Sequence, residues 1–366
     1  MKIVFLDPIE WDYSPATPKE KPLGGSQSGL CYLSSELAKS GHEVVLVNQI
    51  QHPGVYEGVY CPGMDTGGNS EYLNRFDVVV VLNGPIGVTL RDWGVKNRMI
   101  LWCQHDVDQQ TVQSLNHSGE RQAWDGYALV SDWFLKRYHS TFGIPRKKMK
   151  IMRNAIAPMF ENVPDREPFF RRGDGPILAY SSTPFRGLGI LLMAFPMIRA
   201  TIPDCRLKVY SSMGVYQMFG EQDQYQVLYE LCRSIEGSEY IGSISQTELA
   251  TAFLDTDIMA YPNTFPEGAC IAVMEAMASD CLIATSDLGA LPETTAGYGF
   301  LSEVKKNILG HAASYAQMVI GIINDAYAAP DEFENRLAEQ KAFTNAAYSW
   351  RSRSREWEKW LLKMML

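Results

Sequence analysis

The run Ile271-Ala272-Val273-Met274-Glu275-Ala276-Met277-Ala278, with Cys281-Leu282-Ile283-Ala284-Thr285 after it and then Gly289 to Glu293, decides the fold class. The first segment reads as a helix with no polar face. The second reads as a short buried strand, and Gly289 with Leu291-Pro292-Glu293 as a turn-bearing loop. Helix, buried strand and glycine-bearing loop at the strand's C-terminal end are how an α/β sheet builds a ligand crevice. Glu275 stands alone among apolar neighbours, and a buried carboxylate costs free energy unless something hydrogen-bonds to it. A second carboxylate, Glu267, lies eight positions upstream, just after Thr264-Phe265-Pro266. Sugar hydroxyls suit both, because they donate without neutralising the charge. A solvent-facing glutamate is the bland alternative, and the apolar surroundings of Glu275 argue against it.

The same alternation extends in both directions. Ile3-Val4-Phe5-Leu6 is a strand, followed by a proline-bearing loop and a helix from about Ser26 to Ser40. Glu43 to Val47, Asp77 to Leu82, Met99 to Cys103 and Gly126 to Val130 are further strands. The nearly continuous β-branched run Asp77 to Leu82 is typical of a strand covered on both faces. A polar, proline-bearing stretch between Glu161 and Gly175 reads as a linker. The pattern then restarts with strands Ile177 to Tyr180, Arg206 to Tyr210 and Asp257 to Tyr261, and helices Gly187 to Ala200 and Gln224 to Ile235. Such alternation implies parallel, doubly wound sheets, hence α/β. The expected domains are residues 1–160, joined by a terminal helix over 350–366, and residues 170–349. Ligands are expected in the cleft between the halves, at the C-terminal ends of both sheets.

Composition narrows the functional classes. The net charge of -9 disfavours nonspecific nucleic-acid binding, which needs a basic surface. The seven cysteines are scattered and show no CxxC spacing, which fits a reducing, cytoplasmic compartment and speaks against a zinc site. Met1 to Leu6 reads as a first strand rather than a signal peptide. No segment reaches the ~18 consecutive apolar residues of a membrane span. The terminal segment Trp350 to Leu366 is amphipathic, with Trp357, Trp360 and Leu361 on one face and Arg351, Arg353, Arg355 and Lys359 around the rest. It reads either as a basic helix in peripheral contact with a membrane or as a helix packed across the two domains that snorkels its basic residues. The packed reading is preferred.

Other residues carry candidate chemistry. In Ser182-Thr183-Pro184-Phe185-Arg186-Gly187, a strand-to-helix turn places Arg186 beside helix amides, a setting suited to a diphosphate. Gly24-Gly25-Ser26-Gln27-Ser28-Gly29 leads into another helix, with Ser26 as a candidate cap. Neither turn has the G-x-G-x-x-G or P-loop spacing, which disfavours a dehydrogenase or an NTPase. His105 follows a strand end and is placed to hydrogen-bond a hydroxyl or position a reacting group. Asp255-Thr256-Asp257 spells an acidic triplet of the kind used to hold metals, but it falls between a helix end and a strand start. No metal is expected.

Together these features resemble the retaining glycosyltransferases of the GT-B fold, the glycogen-synthase-like and mannosyltransferase-like group. The resemblance covers nearly the whole chain. Its most specific part is Pro262 to Gly268 through Glu275 to Ala278, which looks like that group's paired-glutamate motif, with Gly289 to Glu293 after it. Gly24-Gly25, His105, Arg186-Gly187, the run Gly242 to Leu249 and Tyr348-Ser349-Trp350 support it. The resemblance implies two Rossmann-like domains facing a central cleft, with the terminal helix crossing back to the first. It implies a metal-independent, cofactor-free enzyme that moves a sugar, a hexose by preference, from a nucleoside-diphosphate sugar to a glycan, lipid-linked or protein acceptor. Glu267, with His105, then forms the catalytic pair. Gly25, Ser182, Arg186, Gly268, Ala269, Cys270, Ile271 and Glu275 bind the donor, with Glu275 on the ribose and Arg186 on the diphosphate.

The chain departs from the group in two places. Ser181 stands where many relatives carry an arginine ahead of the phosphate-turn lysine, and Arg186 takes the lysine's place. Arg153 and Lys208 are candidates for the missing charge. Ala269 stands where an aromatic is common, which leaves more room near the donor sugar. The alternative readings are an epimerase or phosphorylase on the same fold, or a noncatalytic nucleotide-sugar-binding protein.

Overall fold

Val78-Val79-Val80-Val81-Leu82 is buried at every position, as a strand flanked by strands and covered on both faces must be. It lies inside an eight-stranded sheet. The strands are β1 (Lys2–Leu6), β2 (Glu43–Val47), β3 (Gly54–Tyr56), β4 (Val59–Cys61), β5 (Val78–Leu82), β6 (Arg98–Cys103), β7 (Gly126–Leu129) and β8 (Met149–Ile151). Their order is β3-β4-β2-β1-β5-β6-β7-β8. All neighbours run parallel except the edge hairpin β3–β4. A second sheet has six strands: β9 (Ile177–Ser181), β10 (Arg206–Tyr210), β11 (Ser238–Tyr240), β12 (Ile258–Tyr261), β13 (Leu282–Ser286) and β14 (Phe300–Ser302). Its order is β11-β10-β9-β12-β13-β14, and every pairing is parallel. Both sheets are doubly wound, because the strand order reverses direction inside each.

This computed structural model describes residues 1–365. The chain forms two units, one built of Met1–Pro18, Gly25–Ala155 and the residues from Ser349 on, the other of Lys19–Gly24 and Ile156–Tyr348. The boundary therefore lies ahead of the polar stretch read as a linker. That stretch is folded into the second unit by charge. Arg166 pairs with Asp257 at 2.7 Å and donates to the carbonyls of Thr256 and Asp280. Arg172 meets both oxygens of Asp257, which also caps the Ile177 amide at 2.9 Å. Lys341 joins Asp165 and Asp280. Asp257 is thus a structural anchor for two arginines.

Local signals explain several helices. Ser131 caps the helix Asp132–Phe142 through the Phe134 amide. In Gly242 to Leu249, Ser245 and Glu248 form a reciprocal capping box at the start of the helix Gln246–Phe253. The helix after the glycine loop spans Gly25–Lys39, so Ser26 lies in its first turn rather than at the cap. The long segments 11–21 and 55–69, unreadable in sequence, hold the helix Thr17–Glu20, part of the β3–β4 hairpin and the helix Met64–Gly67.

The last helix, Trp350–Met365, packs within the first unit, against the helix Gly25–Lys39. Trp350, Trp357 and Leu361 are buried. Trp357 meets Trp102 edge-on at 5.2 Å, and Trp350 lies so close to Gly29 that a Cβ there would sit 3.1 Å from its ring. Trp350, Trp357 and Leu361 are therefore spent on the core of the first unit. No helix among the described residues is long and apolar enough to cross a membrane. Trp357→Ala is expected to cost about 3–5 kcal/mol, the usual range for deleting a buried tryptophan. Denaturant unfolding checks this, and a cost below about 1 kcal/mol would mean the helix adds little to the first unit.

Candidate active site

The second unit assembles most of the sequence-derived residues. Strand β12 ends at Tyr261, and the loop Pro262 to Cys270 carries the chain to the helix Ile271–Ala278. Asn263, fully buried, closes this loop on itself: its amide donates to the Phe265 carbonyl, and the Phe265 N–H donates back at 3.0 Å. Two neighbouring turns grip it. Gly187 has φ +131°, and a Cβ there would come within 2.2 Å of the Pro262 carbonyl oxygen. Thr264 N–H donates to the Arg186 carbonyl at 3.2 Å. On the other side Gly289, at φ +64°, lies so near Glu267 that a Cβ would sit 2.6 Å from its backbone N and O. Ala290 N–H bonds the Glu267 carbonyl at 2.7 Å. Both positions require glycine for conformation and for space.

Glu267 is 4 % exposed, and its carboxylate is fully engaged. Arg186 Nη1 donates to both oxygens, at 2.9 and 3.1 Å, and the Tyr261 hydroxyl donates to Oε1. Arg186 Nη2 reaches the Tyr216 hydroxyl at 3.3 Å, and the guanidinium lies 5.0 Å from the Phe265 ring centre. Burial pulls the guanidinium down, but Glu267 together with Tyr216, Tyr261 and Cys270 outweighs it and holds Arg186 well above its ordinary value. Ser182 Oγ is 3.3 Å from the Tyr261 hydroxyl.

Glu275 behaves differently. It is 1 % exposed, with Oε1 accepting the Ala157 N–H at 3.2 Å and no cation on it. Burial pushes its carboxyl up to about 8, with the Ala157 amide opposing. Gly268, Cys270 and the first turn of the helix are largely buried, and no side chain caps that helix. The helix Leu188–Thr201, which starts beside Arg186, is likewise uncapped by any side chain. Two helix N-termini with open amides therefore begin next to the Arg186–Glu267 pair, the usual setting for an anion.

Gly25 and His105 belong to the first unit. Gly25 opens its helix and is exposed. His105 follows β6, partly exposed, with Nδ1 at 2.7 Å from Thr111 Oγ1 and its carbonyl accepting from the Tyr138 hydroxyl. Neighbouring Asp106 is buried on Arg137 at 2.6 Å. Of the candidates for an extra cation, Arg153 pairs with Asp132 in the first unit. Lys208 sits mid-strand in β10, opposite Ala179. Within the acidic triplet, Asp257 is held by Arg166 and Arg172.

Sequence reading missed Tyr261, Tyr216 and the loop-closing role of Asn263. Tyr261 left a trace, an aromatic with a polar tip ending an apolar strand at the crevice side. Tyr216 left none, because its 3-10 turn has no periodic pattern.

The chain is similar to known proteins. Residues 177–325 match the family described as "Glycosyl transferases group 1". A glycogen synthase of Mycobacterium tuberculosis is 23% identical over 88% of this chain and 86% of its own length. A lipopolysaccharide 1,2-N-acetylglucosaminetransferase of Salmonella typhimurium is 24% identical over 72% of this chain and 70% of its own. Anabaena HepE, solved in complex with UDP-glucose, superposes with a TM-score of 0.72 at 14% identity, covering 99% of this chain and 100% of that one. The protein is a glycosyltransferase of the GT-B fold. Its second unit carries the glycosyl transferases group 1 domain.

The charge state of Glu275 has a sign that can be checked. The folded protein keeps this proton up to about pH 8, whereas the ordinary carboxyl loses it near 4.5. Its contribution to stability is thus full below about pH 4.5 and is lost as pH rises through about 8. Glu275→Gln should flatten that fall, gaining on the wild type in melting temperature from pH 5 to pH 8.5. Parallel melting curves across the range would refute the assignment of a retained proton.

Proposed function

We propose that the protein is a retaining, metal-independent transferase that moves a sugar from a nucleoside-diphosphate sugar to a hydroxylated acceptor. The observation that carries this reading is the Arg186–Glu267 pair, set beside two uncapped helix N-termini, one of them opening the helix that buries the carboxyl of Glu275. HepE's complex with UDP-glucose supports a nucleotide-sugar donor. Arg186, Ser182 and the helix amides hold the diphosphate, doing the work of a divalent cation. The amides of Gly268, Ala269, Cys270 and Ile271 meet donor hydroxyls and phosphate. Glu275 takes the ribose hydroxyls. For the first unit, the resemblance implies a donor-binding role for Gly25 and a catalytic one for His105.

The reaction breaks the bond from the anomeric carbon to the diphosphate oxygen. The acceptor oxygen bonds to the same face, and its proton passes to the departing phosphate. Positive charge grows on the sugar ring as the bond breaks, as in glycoside hydrolysis. Glu267 lies against that ring and stabilises the charge, while Arg186 stabilises the negative charge on the leaving group.

Glu267→Ala is expected to cut turnover at least about a hundredfold while the fold survives. Arg186→Ala is expected chiefly to weaken nucleoside-diphosphate binding in calorimetry. Near-normal turnover in the first variant would remove Glu267 from the chemistry. Diphosphate release that depends on acceptor, in excess chelator, is the assay for the reaction as a whole. A strict metal requirement, or turnover without acceptor, would overturn it. Ribose hydroxyls donating to Glu275 favour its charged form, so donor binding near pH 7 should release a proton. Binding heats that are independent of the buffer's ionisation enthalpy would count against that contact.

A further inference from the structure

Arg186 and Glu267 are bound to each other. If Arg186 serves the diphosphate, donor and Glu267 compete for the same guanidinium. Glu267 then loses part of its bidentate partner at the moment its charge is needed. A carboxylate buried to this extent, with weakened support, tends to rotate or to take up a proton. Something else has to hold it.

Tyr261 is placed to do so. Its hydroxyl donates to Glu267 Oε1 from the side of β12, independently of Arg186. The residue is fully buried and fixed at three points. Its carbonyl accepts Thr285 Oγ1 at 2.8 Å, its ring lies 5.7 Å from the Tyr180 ring, and its hydroxyl meets Ser182 Oγ at 3.3 Å. Burial also pushes the phenol well above its ordinary value, so the hydroxyl keeps its proton and stays a donor throughout the working range. Arg186, by contrast, has a side chain 23% exposed, and its outer nitrogen leans on Tyr216.

We infer that Tyr261 is a positioning residue for the transfer reaction: it keeps Glu267 oriented while Arg186 turns to the donor's diphosphate. Tyr216 is its counterpart on the other partner, steadying the guanidinium through Nη2. The inference rests on the roles proposed above for Glu267 and Arg186.

The test compares Tyr261→Phe, Tyr216→Phe and Glu267→Gln in the full-length enzyme, with the best nucleotide-sugar donor. Tyr261→Phe keeps the ring and its packing and removes one hydrogen bond to a charged group. It should lower kcat by about tenfold, with a smaller change in the donor KM. It should also move the acid limb of the kcat profile up by about one pH unit, because a carboxylate that loses a donor is more easily protonated. Tyr216→Phe should raise the donor KM and leave the acid limb in place. A merely structural role for Tyr261 predicts lower thermal stability with an unmoved acid limb, and that result would overturn the inference. If Tyr261→Phe does not fold, Thr285→Val, which loosens the same strand end from outside the site, should reproduce the acid-limb shift in weaker form; an unshifted limb there overturns it too. Glu267→Gln separates the two levels. If that variant retains turnover, the proposed role of Glu267 fails. If it is inactive while Tyr261→Phe has an unchanged kcat and pH profile, only the positioning role fails.

Discussion

The contact on which the second unit's site depends is the bidentate ion pair between Arg186 and Glu267. A carboxylate this deeply buried needs a cation or several donors. Supplying them fixes the surrounding backbone. Gly187 has to bring the arginine turn against Pro262, and Gly289 has to press the following loop against Glu267 itself. Tyr261 has to end its strand at the right height to reach the same carboxylate. Removal of the cation alone leaves a charge stranded among apolar groups, the costlier half of any buried pair. A donor that offers phosphate to the arginine and hydroxyls to the glutamate satisfies each group separately.

Glu275 solves the same problem by another route. It has one backbone amide and no cation, so it meets burial by holding a proton. Eight residues apart in sequence, the two glutamates are therefore supported differently, Glu267 by a guanidinium and a phenol and Glu275 by one backbone amide.

Much of the architecture was legible because parallel strands covered on both faces read as unbroken apolar runs. Val78 to Leu82 and Leu282 to Ser286 are buried at every position, as strands covered on both faces are. Short edge strands were not legible. Ser238–Tyr240 and Phe300–Ser302 are three residues each and half exposed, so they carry too little pattern to separate from loop. The polar stretch 161–175 was misjudged because composition reports solvation, whereas Arg166 and Arg172 are held by a buried aspartate remote in sequence. In the site, residues that punctuate the chain were readable: Glu275 against its apolar run, Arg186-Gly187 and Gly289 at turns. Partners that act through a single long-range hydrogen bond, such as Tyr216, were not, since no local rule marks them.

The first unit is discontinuous, and this has a consequence for the order of assembly. Its core includes Trp350, Trp357 and Leu361 from the far end of the chain, closing over Gly29 and Trp102. During synthesis from the ribosome, the second unit has all of its own strands available while the first still lacks this lid. Domains usually mature in order of synthesis, but the first unit cannot close its core until the last helix has emerged. A nascent chain paused before the last helix would present an unsealed indole, Trp102, to chaperones.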